Sequence, residues 1–173
     1  MQLLAEFVRN HLSDDTSRLV LDRAKWPDID MDIAVNSIES RRKLRGKVQE
    51  WYDEPDLIFP RKLSAEQCSS SATALYKSSF AERIAAAYGP EDKEWKIADL
   101  TGGLGVDSWF FSKKASRVLY NEMLDSLCMA ARHNFAILKA TNIEISNHAV
   151  ASPDDIMQDK TMATPSSVLT PFG

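Results

Sequence analysis

The sequence predicts an α/β protein in which a helical N-terminal domain leads into part of a doubly wound parallel sheet. Three observations carry this. Apolar residues recur at helical spacing through residues 1–90. The short apolar run Trp95–Leu100 is followed at once by the glycine cluster Gly102-Gly103-Leu104-Gly105. The next apolar run, Arg117–Tyr120, ends in an acid, Glu122, seventeen positions after Gly105. Strand, glycine turn, helix, strand and acid make a nucleotide-binding βαβ unit, the start of a Rossmann-like sheet.

Taken in order, Leu3, Leu4, Phe7, Val8 and Leu12 form one stripe, so residues 2–12 are expected to be helical. Ser13 or Asp14 is expected to cap a second helix running through Leu19, Val20 and Ala24 toward Trp26, which Pro27 stops. A third spans Met31 to Trp51, with Ile33, Ala34, Ile38, Leu44 and Val48 inward. It carries Arg41, Arg42, Lys43, Arg45 and Lys47. That basic stretch reads either as a solvated face balanced by Glu39 and Glu50, or as a surface tracking RNA phosphates. Pro55 and Pro60 hold Leu57–Phe59 extended. Ser64-Ala65-Glu66-Gln67 reads as a capping box that opens a helix continuing to Ala87 and closing at Gly89-Pro90.

Beyond the polar linker, Val106–Phe111 suits a helix, residues 124–139 a second crossover helix, and Asn142–Asn147 a third strand. The division is therefore 1–90 helical domain, 94–150 first half of a Rossmann-like cofactor-binding domain, and 151–173 irregular tail. Glycines allow positive φ and close approach of a ligand, and the helix that follows aims unpaired N–H groups at the same place. An acid at the end of the second strand can accept hydrogen bonds from both hydroxyls of a ribose. A dinucleotide fingerprint fits imperfectly, because Gly103-Leu104-Gly105-Val106-Asp107-Ser108 ends in serine behind an acid that repels pyrophosphate.

The run Asp99-Leu100-Thr101-Gly102-Gly103-Leu104-Gly105-Val106-Asp107 resembles motif I of the class I S-adenosylmethionine-dependent methyltransferases, with Glu122 at their ribose-binding position. Together with Phe59–Ser70 and Thr73–Lys77, it is similar to the bacterial members that carry an RNA-binding-like THUMP-type domain further along the chain. The resemblance covers most of residues 57–147. It implies S-adenosylmethionine as cofactor and an RNA base as substrate. Asp99 would hold the methionine ammonium, and Thr101, Gly102, Gly103 and Gly105 would form the loop beneath the cofactor. Asp107 would be a flanking acid and Glu122 the ribose clamp. Met123 reads equally as an adenine cover or a core methionine. His148 or Asn147 stands where the family commonly places an acid for the adenine amino group. Glu66, Gln67 and Ser69 lie near the cofactor mouth if their helix packs beside the turn, although capping and solvation explain them as well. The sequence assigns no catalytic residue. His133 reads as a helix-surface residue.

After Val150 the family would supply a fourth strand ending in an acid or amide followed by prolines; here Thr170-Pro171-Phe172 is only an echo. The sequence accordingly reads as a truncated or interrupted product, or as an N-terminal piece, with a short strand near Ser166–Thr170 and an apolar edge on Ile97–Leu100 that, unless the helical domain covers it, would leave the chain to aggregate, pair with itself or be marginally stable. A net charge of -4 over 173 residues gives no global attraction to nucleic acid. Cys68 and Cys128 read as reduced, buried thiols without a metal site, and no apolar run approaches the ~20 residues of a membrane span, so a cytoplasmic protein is expected. Two other functions fit parts of this pattern: an inactive remnant serving as a scaffold or binding module, and a nicotinamide dinucleotide-binding protein.

Overall fold

The computed structural model describes residues 1–88 and 94–150, together with the backbone of Val168–Leu169. The chain begins with α1 (Gln2–Asn10) and α2 (Thr16–Leu21), the latter capped by Asp15 through Ser17 N–H, one residue beyond the expected caps. A 3-10 turn at Arg23–Lys25 leads to α3 (Met31–Leu44), which Asp30 caps through Ile33 N–H. The helix expected to continue to Trp51 stops at Leu44. Gly46 takes φ +72, a left-handed conformation that ends the run, and α4 (Gln49–Asp53) starts afresh. Leu44, Val48 and Trp51 are all fully buried on either side of this break.

The capping box expected at Ser64 is not formed. Ser64 lies inside α5 (Lys62–Gln67), and Cys68 leaves the helix in an extended conformation. The hydroxyl that caps the next helix, α6 (Ser71–Tyr88), belongs to Ser70, which accepts Thr73 N–H at 3.2 Å. What looked like one helix is therefore two, joined by Cys68–Ser70.

A parallel sheet follows: β1 (Lys96–Asp99), α7 (Val106–Ser112), β2 (Arg117–Asn121), α8 (Asp125–Ile137), β3 (Ile143–Ser146) and the two-residue β4 (Val168–Leu169). The order is β3-β2-β1-β4. Ala98 pairs with Leu119, and Leu119 with Glu144. β4 pairs with Lys96 and Ile97, so over those two positions the expected open edge of β1 is occupied. The echo at Thr170-Pro171-Phe172 lies outside the described residues.

The helices and the sheet meet in one apolar cluster. Leu44, Val48, Trp51, Leu57 and Phe59 pack with Leu104, Val106, Trp109, Tyr120, Leu127 and Phe135. Trp51 stacks on Phe59 and meets Trp109 edge-on, at 6.1 Å in each case. Polar side chains fasten the same junction. Asn134 of α8 accepts Ile58 N–H at 2.9 Å and donates to Ile58 O at 2.8 Å, while His133 Nε2 reaches Asp56 O at 2.9 Å. His133 is thus a tether, half-buried, instead of a surface residue.

The basic stretch is a solvated face only in part: Arg42, Lys43 and Arg45 are exposed, whereas Arg41 points inward. Arg41 is 2% exposed, and its guanidinium donates to the carbonyls of Trp51, Tyr52, Glu54, Pro55 and Leu57. Arg42 donates to Leu12 O and Asp14 O. Lys47 donates to Ala65 O and Glu66 O at the end of α5, and Lys43 pairs with Glu66. Most of these cations hold the chain to itself.

Candidate functional site

The site is built on the turn between β1 and α7. Gly103 and Gly105 take φ +54 and +88. Tyr120 of β2 rises against this turn and donates its hydroxyl to Gly103 O at 2.7 Å. A Cβ on Gly102 would sit 2.2 Å from the Tyr120 ring, and one on Gly105 would sit 2.6 Å from Phe135. The space at these two glycines is therefore filled by aromatic side chains of the protein, not kept open for a ligand. Gly103 differs: its nearest neighbour would be Thr101 O at 3.8 Å, leaving one bare face of the turn toward the cavity.

Glu122 closes the turn from the tip of β2. Its carboxylate accepts Gly103 N–H at 3.1 Å and Leu124 N–H at 2.9 Å. A carboxylate has about four acceptor positions, so two backbone bonds orient the group and leave it able to accept more. Asn147 Nδ2 donates to Glu122 O at 2.7 Å, tying the ends of β2 and β3 together.

A cavity of about 500 Å³ opens over this turn, within the range of small-molecule sites. Thr101, Gly102, Gly103, Gly105, Asp107 and Glu122 all line it. Its other walls come from Arg61 at the N-terminal cap of α5, from α5 and the segment after it (Leu63, Ser64, Gln67, Cys68, Ser69), from Lys77 of α6, and from Leu124 and Leu127 at the start of α8. Leu63, Leu124 and Leu127 are among its apolar lining residues, whereas Ser69, Lys77 and Asp107 form a hydrogen-bonded polar cluster on its wall.

Asp107 is not a free acid. Its Oδ2 accepts from Lys77 Nζ at 2.7 Å and from Ser69 Oγ at 3.0 Å, and Lys77 also donates to Ser69 Oγ at 3.0 Å. The negative charge expected beside the glycines is thus compensated by a lysine that the site reading omitted. Cys68, expected to be buried, is half-buried and on the cavity wall; it donates to Ala65 O, and burial pushes its thiol pKa up, so it is a neutral donor.

Three expected site residues lie elsewhere. Asp99 turns to Ser108, whose hydroxyl donates to its Oδ2 at 2.6 Å, and it does not line the cavity. Met123 is 68% exposed. His148 is exposed, and its backbone pairs with the Asn121 side chain. Among the residues omitted, Arg61, Leu63 and Lys77 reach the cavity only because α5 and α6 pack beside the turn, which no local pattern encodes.

Desolvation raises the Asp99 pKa from 3.8 to about 6, against the Ser108 hydrogen bond that lowers it. The folded state therefore holds this proton more tightly than the unfolded chain. The charging penalty is absent below the unfolded value and complete above the folded one. Asp99→Asn is expected to raise stability above pH 7 by about 1–3 kcal/mol. The gain should vanish toward pH 4. Denaturant titrations of both proteins across this range check it, and a pH-independent difference would contradict it.

Among the described residues no group of three or more His, Cys, Asp or Glu could hold a metal ion, and no helix is long and apolar enough to cross a membrane. Fold and site together define a partial methyltransferase-like α/β structure: a parallel sheet with a glycine turn after its first strand and an acid at the tip of the second. The chain is similar to the crystal structure of a protein from Porphyromonas gingivalis W83 that is provisionally named a methyltransferase, at 30% identity and a TM-score of 0.64. The match covers 84% of this chain and 34% of that one, so the chain spans about a third of that protein. No family model matches the chain, and no curated protein does.

Proposed function

We propose that the chain is the cofactor-binding part of an S-adenosylmethionine-dependent methyltransferase of the bacterial class with a THUMP-like domain, acting on an RNA base in the cytoplasm. The observation that carries the cofactor is Glu122, fixed by two backbone N–H groups at the wall of the cavity over the glycine turn. A carboxylate held this way suits the two hydroxyls of a ribose. One detail favours this ligand over a dinucleotide: the third fingerprint position is Ser108, buried and bonded to Asp99 where the fingerprint calls for glycine or alanine. The RNA substrate rests on the resemblance of residues 57–147 alone, and the similar protein's name supports only the reaction class.

When bound, S-adenosylmethionine supplies an electrophilic methyl group. The chain's own residues do the placing. Glu122 accepts from the ribose, the bare face of Gly103 lets the ligand lie close, and Leu63, Leu124 and Leu127 keep water from its apolar part. Methyl transfer depends mainly on in-line placement of donor and acceptor, so such positioning supplies much of the rate.

Calorimetry with S-adenosylmethionine tests this. Glu122→Ala is expected to weaken binding by about 10- to 100-fold, the worth of hydrogen bonds to a charged group. Circular dichroism checks that the variant stays folded. Undiminished affinity in Glu122→Ala would remove the ribose assignment, and no heat from the wild type at millimolar cofactor would favour a scaffold.

A further inference from the structure

We infer that Lys77, held in place by Asp107 and Ser69, is the group that recognises the carboxylate of the cofactor's amino-acid end. The inference rests on the S-adenosylmethionine reading above and adds to it a source of discrimination. Lys77 Nζ lies 2.7 Å from Asp107 Oδ2 and 3.0 Å from Ser69 Oγ, and Ser69 in turn donates to Asp107. An ammonium has three donors. Two are occupied by this triangle, and the third belongs to a side chain that is 39% exposed and lines the cavity. That third donor has no protein partner among the described residues and is available to a ligand in the cavity.

The shape of the cavity gives that donor a partner. If Glu122 takes the ribose, the adenine and the amino acid must lie to either side of it. Leu124 and Leu127, next to Glu122 at the start of α8, supply an apolar wall suited to the base. The remaining wall carries Ser69, Lys77 and Asp107, an ion pair whose two signs match an α-amino acid's own carboxylate and ammonium. The carboxylate is the ligand's one anionic group, and Lys77 is the cation tied to the glycine turn through Asp107. Arg61, the other cation on the cavity, is exposed at the N-terminal cap of α5 and makes no ion pair among the described residues. It is the rival for the same role.

The test compares S-adenosylmethionine with its decarboxylated analogue, which keeps the adenosyl sulfonium and lacks the carboxylate. By calorimetry the wild type should prefer S-adenosylmethionine about tenfold or more, the worth of one charge-assisted hydrogen bond. Lys77→Gln, which keeps a donor for Asp107 while removing the charge, should abolish the preference by weakening S-adenosylmethionine alone. Arg61→Gln should retain the preference. Equal binding of both ligands by the wild type would overturn the role of Lys77 and leave the cofactor reading standing, a comparison that needs no variant to fold. A Lys77→Gln variant weakened equally for both ligands, or a preference that follows Arg61, would overturn it too. Failure of the wild type to bind either ligand would overturn the inference together with the reading beneath it.

Discussion

Arg41→Met is expected to lower folding stability by about 3–5 kcal/mol, a large part of the ~5–15 kcal/mol that holds a typical domain folded. The reason is the number of acceptors it would abandon. Arg41 donates to five backbone carbonyls between Trp51 and Leu57, and the segment they belong to joins α4 to the Ile58–Asn134 contact with α8. Methionine fills similar space and offers no donor, so carbonyls already out of water would lose their partners at about 1–3 kcal/mol each, less whatever water can repair. Lysine should rescue little, since three donors on one atom cannot span five carbonyls. Arg42→Met, one position along on the exposed side, should cost less than about 1 kcal/mol. Urea unfolding of the three variants checks the ranking. Equal losses at Arg41 and Arg42 would show that the guanidinium is not the hub described.

Gly102→Ala is expected to be nearly as damaging, at about 3 kcal/mol or more. Its methyl would fall 2.2, 2.4 and 2.8 Å from three atoms of the Tyr120 ring. That ring cannot step aside: it is fully buried, packs edge-on against Phe135 at 5.6 Å and is bonded through its hydroxyl to Gly103 O. Gly103→Ala makes the informative contrast. Its Cβ would make only an ordinary contact, 3.8 Å from Thr101 O, so the left-handed backbone conformation alone resists it, at about 1–2 kcal/mol. Thermal and denaturant unfolding should rank Gly102→Ala well below Gly103→Ala in stability. The reverse order would mean that the glycines serve the ligand's approach and not the packing of Tyr120.

The contrast between these two glycines shows what was legible in the sequence. The cluster identified a turn after a strand; β1, α8 and β3 fall within the segments expected for them, and α7 and β2 run one residue past theirs, because each carries its own periodicity and punctuation. What the bare backbone faces is decided by Tyr120 and Phe135, which approach from β2 and α8, and no local pattern reports that. Arg41 is a different case. It stands three residues after Ile38 and three before Leu44, on the apolar stripe of α3, so the helical period itself placed a cation inward; grouping it with its basic neighbours hid the signal. Gly46 lies inside the run from Met31 to Trp51 expected as one helix, and its positive φ ends that helix. Ser64 satisfied the capping pattern and Ser70 did not, since Thr73 replaces the acid or amide expected three residues on; the hydroxyl-to-amide bond formed without the reciprocal one. The site followed the same rule. Residues from the turn and the strand tip were accessible to reading, and those delivered by the packing of α5 and α6, Lys77 foremost, were not.

The most direct measurement is a pair of titrations into the wild-type protein, S-adenosylmethionine in one and NADH in the other. Saturable heat in the micromolar range is expected for S-adenosylmethionine and none for NADH, because Glu122 offers a ribose clamp while the dinucleotide fingerprint fails at Ser108, a buried side chain bonded to Asp99. Saturable heat with NADH and none with S-adenosylmethionine would contradict it.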